Sequence, residues 1–321
     1  MPIAAKAAEK MSAGIIMTTR ISSTPAQKKR MCGAEAGSIK PRFSTGRRVK
    51  MITVTRVSVK SLLSPTKLGT DFVINPYVGC PHACVYCYAA DIMRTRRGRC
   101  EAWGSCLDVK VPRSPVDPAK IFRTSILISS MTDAYNPYEE RSLITRGILR
   151  ELLPAQPSLS IITKSALVRR DIDILREFPH VCVTFSFSST DDAFRRRAEP
   201  YASSPKDKLA AMEALRSAGV ETSVMCAPVF PGITDCTAII DAVRPYVSHI
   251  IFDSLNLRRG NAEKILSFVH ALHPELKELY SKIFERKEKN YWIMLRAEIK
   301  EKCRKEGIKN SVFFGHAEER L

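Results

Sequence analysis

No stretch of this chain approaches the roughly 18 uninterrupted apolar residues that a membrane span needs, because Arg, Lys, Asp or Pro breaks every candidate run. That excludes a spanning helix, and the chain reads as a soluble protein with no membrane partner. Low-complexity sequence is absent beyond residue 50, and no repeat is present besides an alternation of strand-like and helix-like segments. The N-terminus also lacks the apolar core and small-residue cleavage site of a secretory signal. Ten cysteines in 321 residues are too sparse for a disulfide scaffold, so a reducing cytoplasm is the default setting. Some of the thiols are then expected to bind metal. What remains is an ordinary globular composition, 45% hydrophobic and 26% charged, which excludes global disorder and collagen-like repeats.

Acidic charge is in deficit. Lys and Arg number 51 against 33 Asp and Glu, a formal net charge of +18. The first 50 residues hold eleven Lys/Arg and only Glu9 and Glu35, so half of the surplus sits there. A basic, Ala/Ser/Thr-rich segment without period-2 or period-3.6 patterning cannot bury enough apolar surface to order itself. Residues 1–50 are therefore read as a disordered basic tail. A transit peptide, or a miscalled start with Met51 as the initiator, fits the same composition.

From residue 70 onward, short apolar runs alternate with helical segments. The strand candidates are 72–75, 125–129, 159–163, 181–187, 222–227 and 249–255, near-continuous apolar stretches of the kind that parallel strands covered on both faces display. Helices are expected over 139–153, 168–178, 205–218 and 235–247. The third has Ser204 as N-cap, Pro205 in the first turn and Gly219 as stop. Six such units predict an α/β fold with a partial (β/α)6 parallel barrel in residues 51–260, two units short of a full barrel. Helical periodicity over 262–304, followed by one short strand at 312–314, predicts an α-rich C-terminal extension over 261–321.

The sharpest feature is Cys80-Pro-His-Ala-Cys84-Val-Tyr-Cys87, three thiols spaced CxxxCxxC directly after the first of these strands. Thiolates are soft ligands suited to zinc or iron-sulfur clusters, and a closed site of either kind takes four ligands. The local set stops at three. A zinc site completed by His82, Cys100 or Cys106 in a non-catalytic nucleic-acid-binding protein is one reading. A four-iron cluster with one iron left open is the other. Arg94, Arg96, Arg97 and Arg99 form the densest basic run outside the tail and suit either phosphate binding or a solvated helix face. The strand cysteines Cys182 and Cys226 read as small buried hydrophobes.

The cysteine motif lies in a longer series: Asn75-Pro76-Tyr77-Val78-Gly79, Tyr88-Ala89, Trp103-Gly104, Thr132-Asp133, Asn136-Pro137, Thr163-Lys164-Ser165, Glu199-Pro200 and Pro231-Gly232-Ile233-Thr234-Asp235. In this order the elements resemble the spore photoproduct lyase-like branch of the radical S-adenosylmethionine (SAM) superfamily, over about residues 58–260. The resemblance implies a 4Fe-4S cluster on Cys80, Cys84 and Cys87, SAM on its open iron, and reductive cleavage of SAM to a 5'-deoxyadenosyl radical that takes hydrogen from a substrate. It also implies an external electron donor of flavodoxin or ferredoxin type, and the chain is expected to act as a monomer. Tyr86 would lie near the adenine, and Ser130, Thr132 and Asp133 near the amino group. Lys164 would pair with the SAM carboxylate, while Ser186, Ser188 and Ala227 would border ribose and adenine, with Glu199 above them. One departure matters: spore photoproduct lyases carry a hydrogen-donor cysteine just before the Thr/Ser-Asp element, and this chain has Ser130 there. The net reaction and substrate therefore stay open between nucleic acid and protein.

Overall fold

The chain enters at β1, Thr53–Val59, and continues through β2, Leu63–Pro65, β3, Phe72–Ile74, and β4, Tyr77–Val78. After them come β5, Cys106–Pro112, β6, Ser125–Ile128, β7, Ser158–Thr163, and β8, Val181–Phe187. The last three are β9, Glu221–Val229, β10, His249–Ser254, and β11, Lys309–Phe313. The structure, a computed structural model, describes residues 52–97, 102–257 and 260–314, with the side chains of 94–97 left out. The predicted tail 1–50, the Met51 start, Cys100 and the side chains of the Arg94–Arg99 run lie outside the described residues.

One mixed sheet of eight strands carries the fold, in the order β2-β3-β6-β7-β8-β9-β10-β11. All neighbours are parallel except β2 and β3. The order is open, with β2 and β11 at its two ends, so the sheet does not close on itself. Each of the six predicted strands is present within two residues of its expected bounds. β8 is buried at every position, which is the reason its sequence shows no alternation.

Three features differ from the sequence reading. The C-terminal strand does not stand apart in a helical extension but pairs with β10 as a seventh parallel strand. Gly307, at φ +66°, turns the chain out of the helix Asn290–Lys305 and into β11. Trp292 of that helix then packs on Phe314, ring centroids 4.8 Å apart. Second, β1, β5 and β4 form a separate three-stranded sheet that was not anticipated. Third, the helix expected over 139–153 breaks at Leu143, whose φ of +53° separates Glu139–Ser142 from Ile144–Leu152.

The helix Pro205–Ser217 begins as the sequence predicts: the Ser204 hydroxyl accepts from the Asp207 N–H at 3.1 Å, a cap worth about 1 kcal/mol. Its inward face repeats at Pro205, Lys208, Ala211, Met212 and Leu215. These helices cover the sheet and leave the C-terminal ends of its parallel strands to carry chemistry.

Candidate functional site

Three thiols meet at one cavity because the backbone just before them is pinned. Gly79, at φ +90°, lies so close to β5 that a Cβ there would stand 2.5 Å from the Cys106 carbonyl oxygen. Only glycine accepts both conditions. The Thr132 hydroxyl donates to the Gly79 carbonyl at 2.6 Å, tying the loop to the end of β6. Inside it, the Ala83 and Cys87 N–H groups donate to the Cys80 and Cys84 carbonyls. Cys80, Cys84 and Cys87 all line one cavity that is partly open to solvent. All three are free thiols.

Burial pushes each of these thiols above its ordinary value. Three adjacent thiolates are therefore held only against positive charge, which a metal cluster supplies directly. The donor set fits an iron-sulfur cluster with three protein ligands. Completion to a closed zinc site has less support. His82 is 1% exposed and already engaged, Nδ1 at 2.9 Å from the Tyr201 carbonyl and Nε2 at 3.1 Å from Asp133 Oδ2. Cys106 lies on β5 and is not among the residues lining the cavity.

Asp133 acts as a hub. Its carboxylate accepts from the Thr163 hydroxyl at 2.8 Å and from the N–H groups of Lys164 and Tyr135 at 2.8 and 2.9 Å. Burial alone would raise its pKa, but His82 and these donors outweigh burial and hold it below the usual carboxylate value. Asp133 thus locks the ends of β6 and β7 to the cysteine loop. Beside it, Asn75 Oδ1 accepts from the N–H groups of Ser130 and Met131 at 2.9 and 3.0 Å. The Asn75 amide donates to the Ser130 hydroxyl at 3.1 Å, and the Tyr88 hydroxyl donates to the Ser130 carbonyl.

Across the cavity, the Lys164 ammonium donates to the Ser186 hydroxyl, stands 5.7 Å from the Tyr86 ring centre and lies 3.8 Å from Glu199 Oε1. Glu199 is fully buried and also accepts from the Tyr86 hydroxyl. Its other oxygen is 3.7 Å from the Lys208 ammonium, itself 1% exposed. Burial pushes the Glu199 carboxyl up, but Lys164 and then Lys208 outweigh that and hold it at about 2. Burial pulls Lys164 down, yet Glu199 and the neighbouring thiols leave it raised overall. Lys208 is lowered, chiefly by burial.

The structure brings Tyr86, Ser130, Thr132, Asp133, Lys164, Ser186 and Ala227 to the cavity wall, together with the three cysteines. Ser188 is not on that wall. It is 1% exposed, and its carbonyl accepts from the Thr234 hydroxyl at 2.8 Å. Glu199 likewise lies behind the wall rather than above it. Sequence reasoning missed Lys208, although a signal existed: it shares helical phase with Ala211, Met212 and Leu215.

The cysteine loop, the strand-end cavity and the open parallel sheet define a radical SAM enzyme. Residues 74–242 match the radical SAM superfamily, and the chain belongs to it. Members of that superfamily use a 4Fe-4S cluster and SAM, and this protein does so as well. An uncharacterised protein of Methanocaldococcus jannaschii is 31% identical over 72% of this chain and 87% of its own length. Spore photoproduct lyase complexed with dinucleoside spore photoproduct matches in fold, with a TM-score of 0.58 over 81% of this chain and 82% of that one, at 14% identity. A mutant of the same lyase with bound AdoMet and dinucleoside spore photoproduct matches 69% of this chain and 66% of that one, with a TM-score of 0.50 at 15% identity. Among the described residues, no helix is long and apolar enough to cross a membrane.

Proposed function

We propose that Cys80, Cys84 and Cys87 carry a 4Fe-4S cluster, and that SAM binds in the cavity beside them with its carboxylate at Lys164. The observation that carries this reading is the presence of three free thiols and one lysine with a partly exposed side chain on a single cavity wall. Bound together, cluster and SAM supply one-electron cleavage of the sulfonium and the 5'-deoxyadenosyl radical that follows. The chain's own residues bind and orient. Lys164 offers the cation, Ser186 shares its hydrogen bond, and Tyr86 and Ala227 form the wall on which ribose and adenine rest. Ser130 and Thr132, held by Asn75 and Gly79, place the turn facing the SAM amino group, and Asp133 fixes that turn.

The six strands β3 and β6–β10 are read as the partial (β/α)6 barrel of a core over residues 51–260. The C-terminal unit is read as residues 261–321, whose described part, 261–314, adds helices and extends the sheet by β11. Cleavage consumes an electron, so the partner is an external donor of flavodoxin or ferredoxin type, and the working unit is a monomer. The substrate gives up a hydrogen atom, and the basic balance of the chain makes nucleic acid the first class to test.

Spore photoproduct repair through a donor thiol is not the expected activity, because Ser130 stands at the donor position and a hydroxyl O–H bond is too strong to release hydrogen readily. The test of the cluster assignment is anaerobic reconstitution with iron and sulfide analysis. Replacing Cys80, Cys84 or Cys87 by Ala should abolish the cluster, while replacing Cys106, Cys182 or Cys303 should leave it. Equal loss on replacing Cys106 would overturn the three-ligand assignment in favour of a closed site.

A further inference from the structure

Beneath the cavity wall, two lysines share one carboxylate. Glu199 turns Oε1 to Lys164 at 3.8 Å and Oε2 to Lys208 at 3.7 Å. Both separations lie beyond hydrogen-bond reach, so neither pair is closed. Lys208 makes its other contacts within the protein: it donates to the Ser186 carbonyl at 2.8 Å and stands 4.8 Å from the Phe187 ring centre. Lys164 alone of the two reaches the cavity, its side chain 16% exposed. The other nearby carboxylate, Asp133, spends its oxygens on His82, Thr163 and the backbone N–H groups of Tyr135 and Lys164.

Two ammonium groups thus face the one Glu199 carboxylate, and of the two lysines only Lys164 reaches the cavity. A buried charge is tolerated when a counter-charge arrives. We propose that Lys208 is a positioning residue for SAM: by neutralising Glu199 from behind, it keeps Lys164 from closing on that carboxylate and leaves its ammonium for a carboxylate in the cavity. This inference rests on the reading that Lys164 receives the SAM carboxylate. Without Lys208, Glu199 and Lys164 form a balanced pair, and an incoming carboxylate must compete with Glu199.

The test measures equilibrium binding of SAM and of decarboxylated SAM, which lacks only the carboxylate, to cluster-loaded protein without reductant, so that no turnover enters the readout. Lys164→Ala should cut the preference for SAM about tenfold or more, the equivalent of losing a charge-assisted hydrogen bond. Lys208→Met should cut the same preference at least about threefold while leaving binding of decarboxylated SAM unchanged, and Lys208→Arg should restore it. The decisive variant combines Lys208→Met with Glu199→Gln. It removes one charge of each sign and leaves Lys164 unopposed, so the preference for SAM should return. A purely structural role for Lys208 would change binding of SAM and of decarboxylated SAM alike and leave the preference between them unmoved. Full SAM preference in Lys208→Met, or no recovery in the double variant, overturns the inference. If the single variant fails to fold, the double variant decides alone, and if that also fails, the role of Lys208 is structural and the inference falls. An unchanged preference in Lys164→Ala instead defeats the underlying reading of Lys164.

Discussion

Two buried charge networks in this protein are built from similar groups and close differently. In the first, Glu139 and Asp171 are both fully buried. Arg170 holds Glu139 at 2.9 Å and Asp171 at 2.8 Å, and Arg146 adds a second contact to Asp171 at 2.8 Å. The Tyr77 hydroxyl and the Thr145 N–H complete Glu139. Guanidinium forks fill every direction, so the network holds helix to helix and has nothing left for a ligand. In the second, point-charge lysines stand 3.7 and 3.8 Å from Glu199 and one of them faces the cavity. The first network stabilises the fold. The second, in the reading given above, holds charge ready for SAM.

That contrast breaks if the two networks respond alike to mutation. Arg170→Ala should give the largest loss of stability, on the order of 3 kcal/mol in chemical denaturation, because it leaves two buried carboxylates short of a partner while Arg146 and Tyr77 remain. The folded fraction should bind SAM normally. Lys164→Ala should do the reverse: SAM binding weakened by about 1.5–3 kcal/mol with an unchanged cluster spectrum, and a loss of stability smaller than that of Arg170→Ala because Lys208 still faces Glu199. Equal stability losses in the two variants would erase the distinction.

Acid sharpens the comparison. The Glu199 carboxyl lies at about 2 in the folded protein against 4.5 for the unperturbed group. The folded value is the lower one, so this contribution to stability is fully present above about pH 4.5 and is lost as pH falls through 2. Asp133, also depressed, adds loss in the same direction. Glu199→Gln should therefore flatten the acid limb of a stability profile between about pH 4.5 and 2. An acid limb as steep as that of the wild type would show that Glu199 does not supply it.

The smallest effect is expected outside both networks. A chain starting at Met51 should keep its cluster content and melting temperature, because the removed residues carry no patterned apolar face. A drop in melting temperature of more than about 4 °C, the equivalent of at least 1 kcal/mol in a chain of this size, would contradict the tail reading.

Much of the site was legible in the sequence because its chemistry sits at strand ends and in one short motif. The three cysteines, Lys164 after β7 and the Ser130–Asp133 turn after β6 all line one cavity. The networks behind them were not legible. Glu139 and Arg170 are 31 residues apart, and their meeting depends on how two helical segments pack, which periodicity does not encode. Lys208 broke the apolar phase of its helix visibly, yet a lysine in such a phase more often snorkels outward than reaches a buried carboxylate. β1 is hard to read from sequence because Val54, Val57 and Val59 are interleaved with polar residues without strict alternation, and its parallel partner β5 begins only at Cys106. The seventh parallel strand was foreshadowed only as an isolated short run, since parallel pairing to β10 joins segments 60 residues apart.

Cleavage of SAM tests the cluster on Cys80, Cys84 and Cys87 most directly. Cluster-loaded wild-type protein under dithionite should release 5'-deoxyadenosine and methionine from SAM slowly even without substrate, and the Cys84→Ala variant should release none. Protein that holds its full cluster yet neither binds SAM nor yields 5'-deoxyadenosine would contradict the account, whereas efficient repair of spore photoproduct by the wild type would contradict only the argument from Ser130.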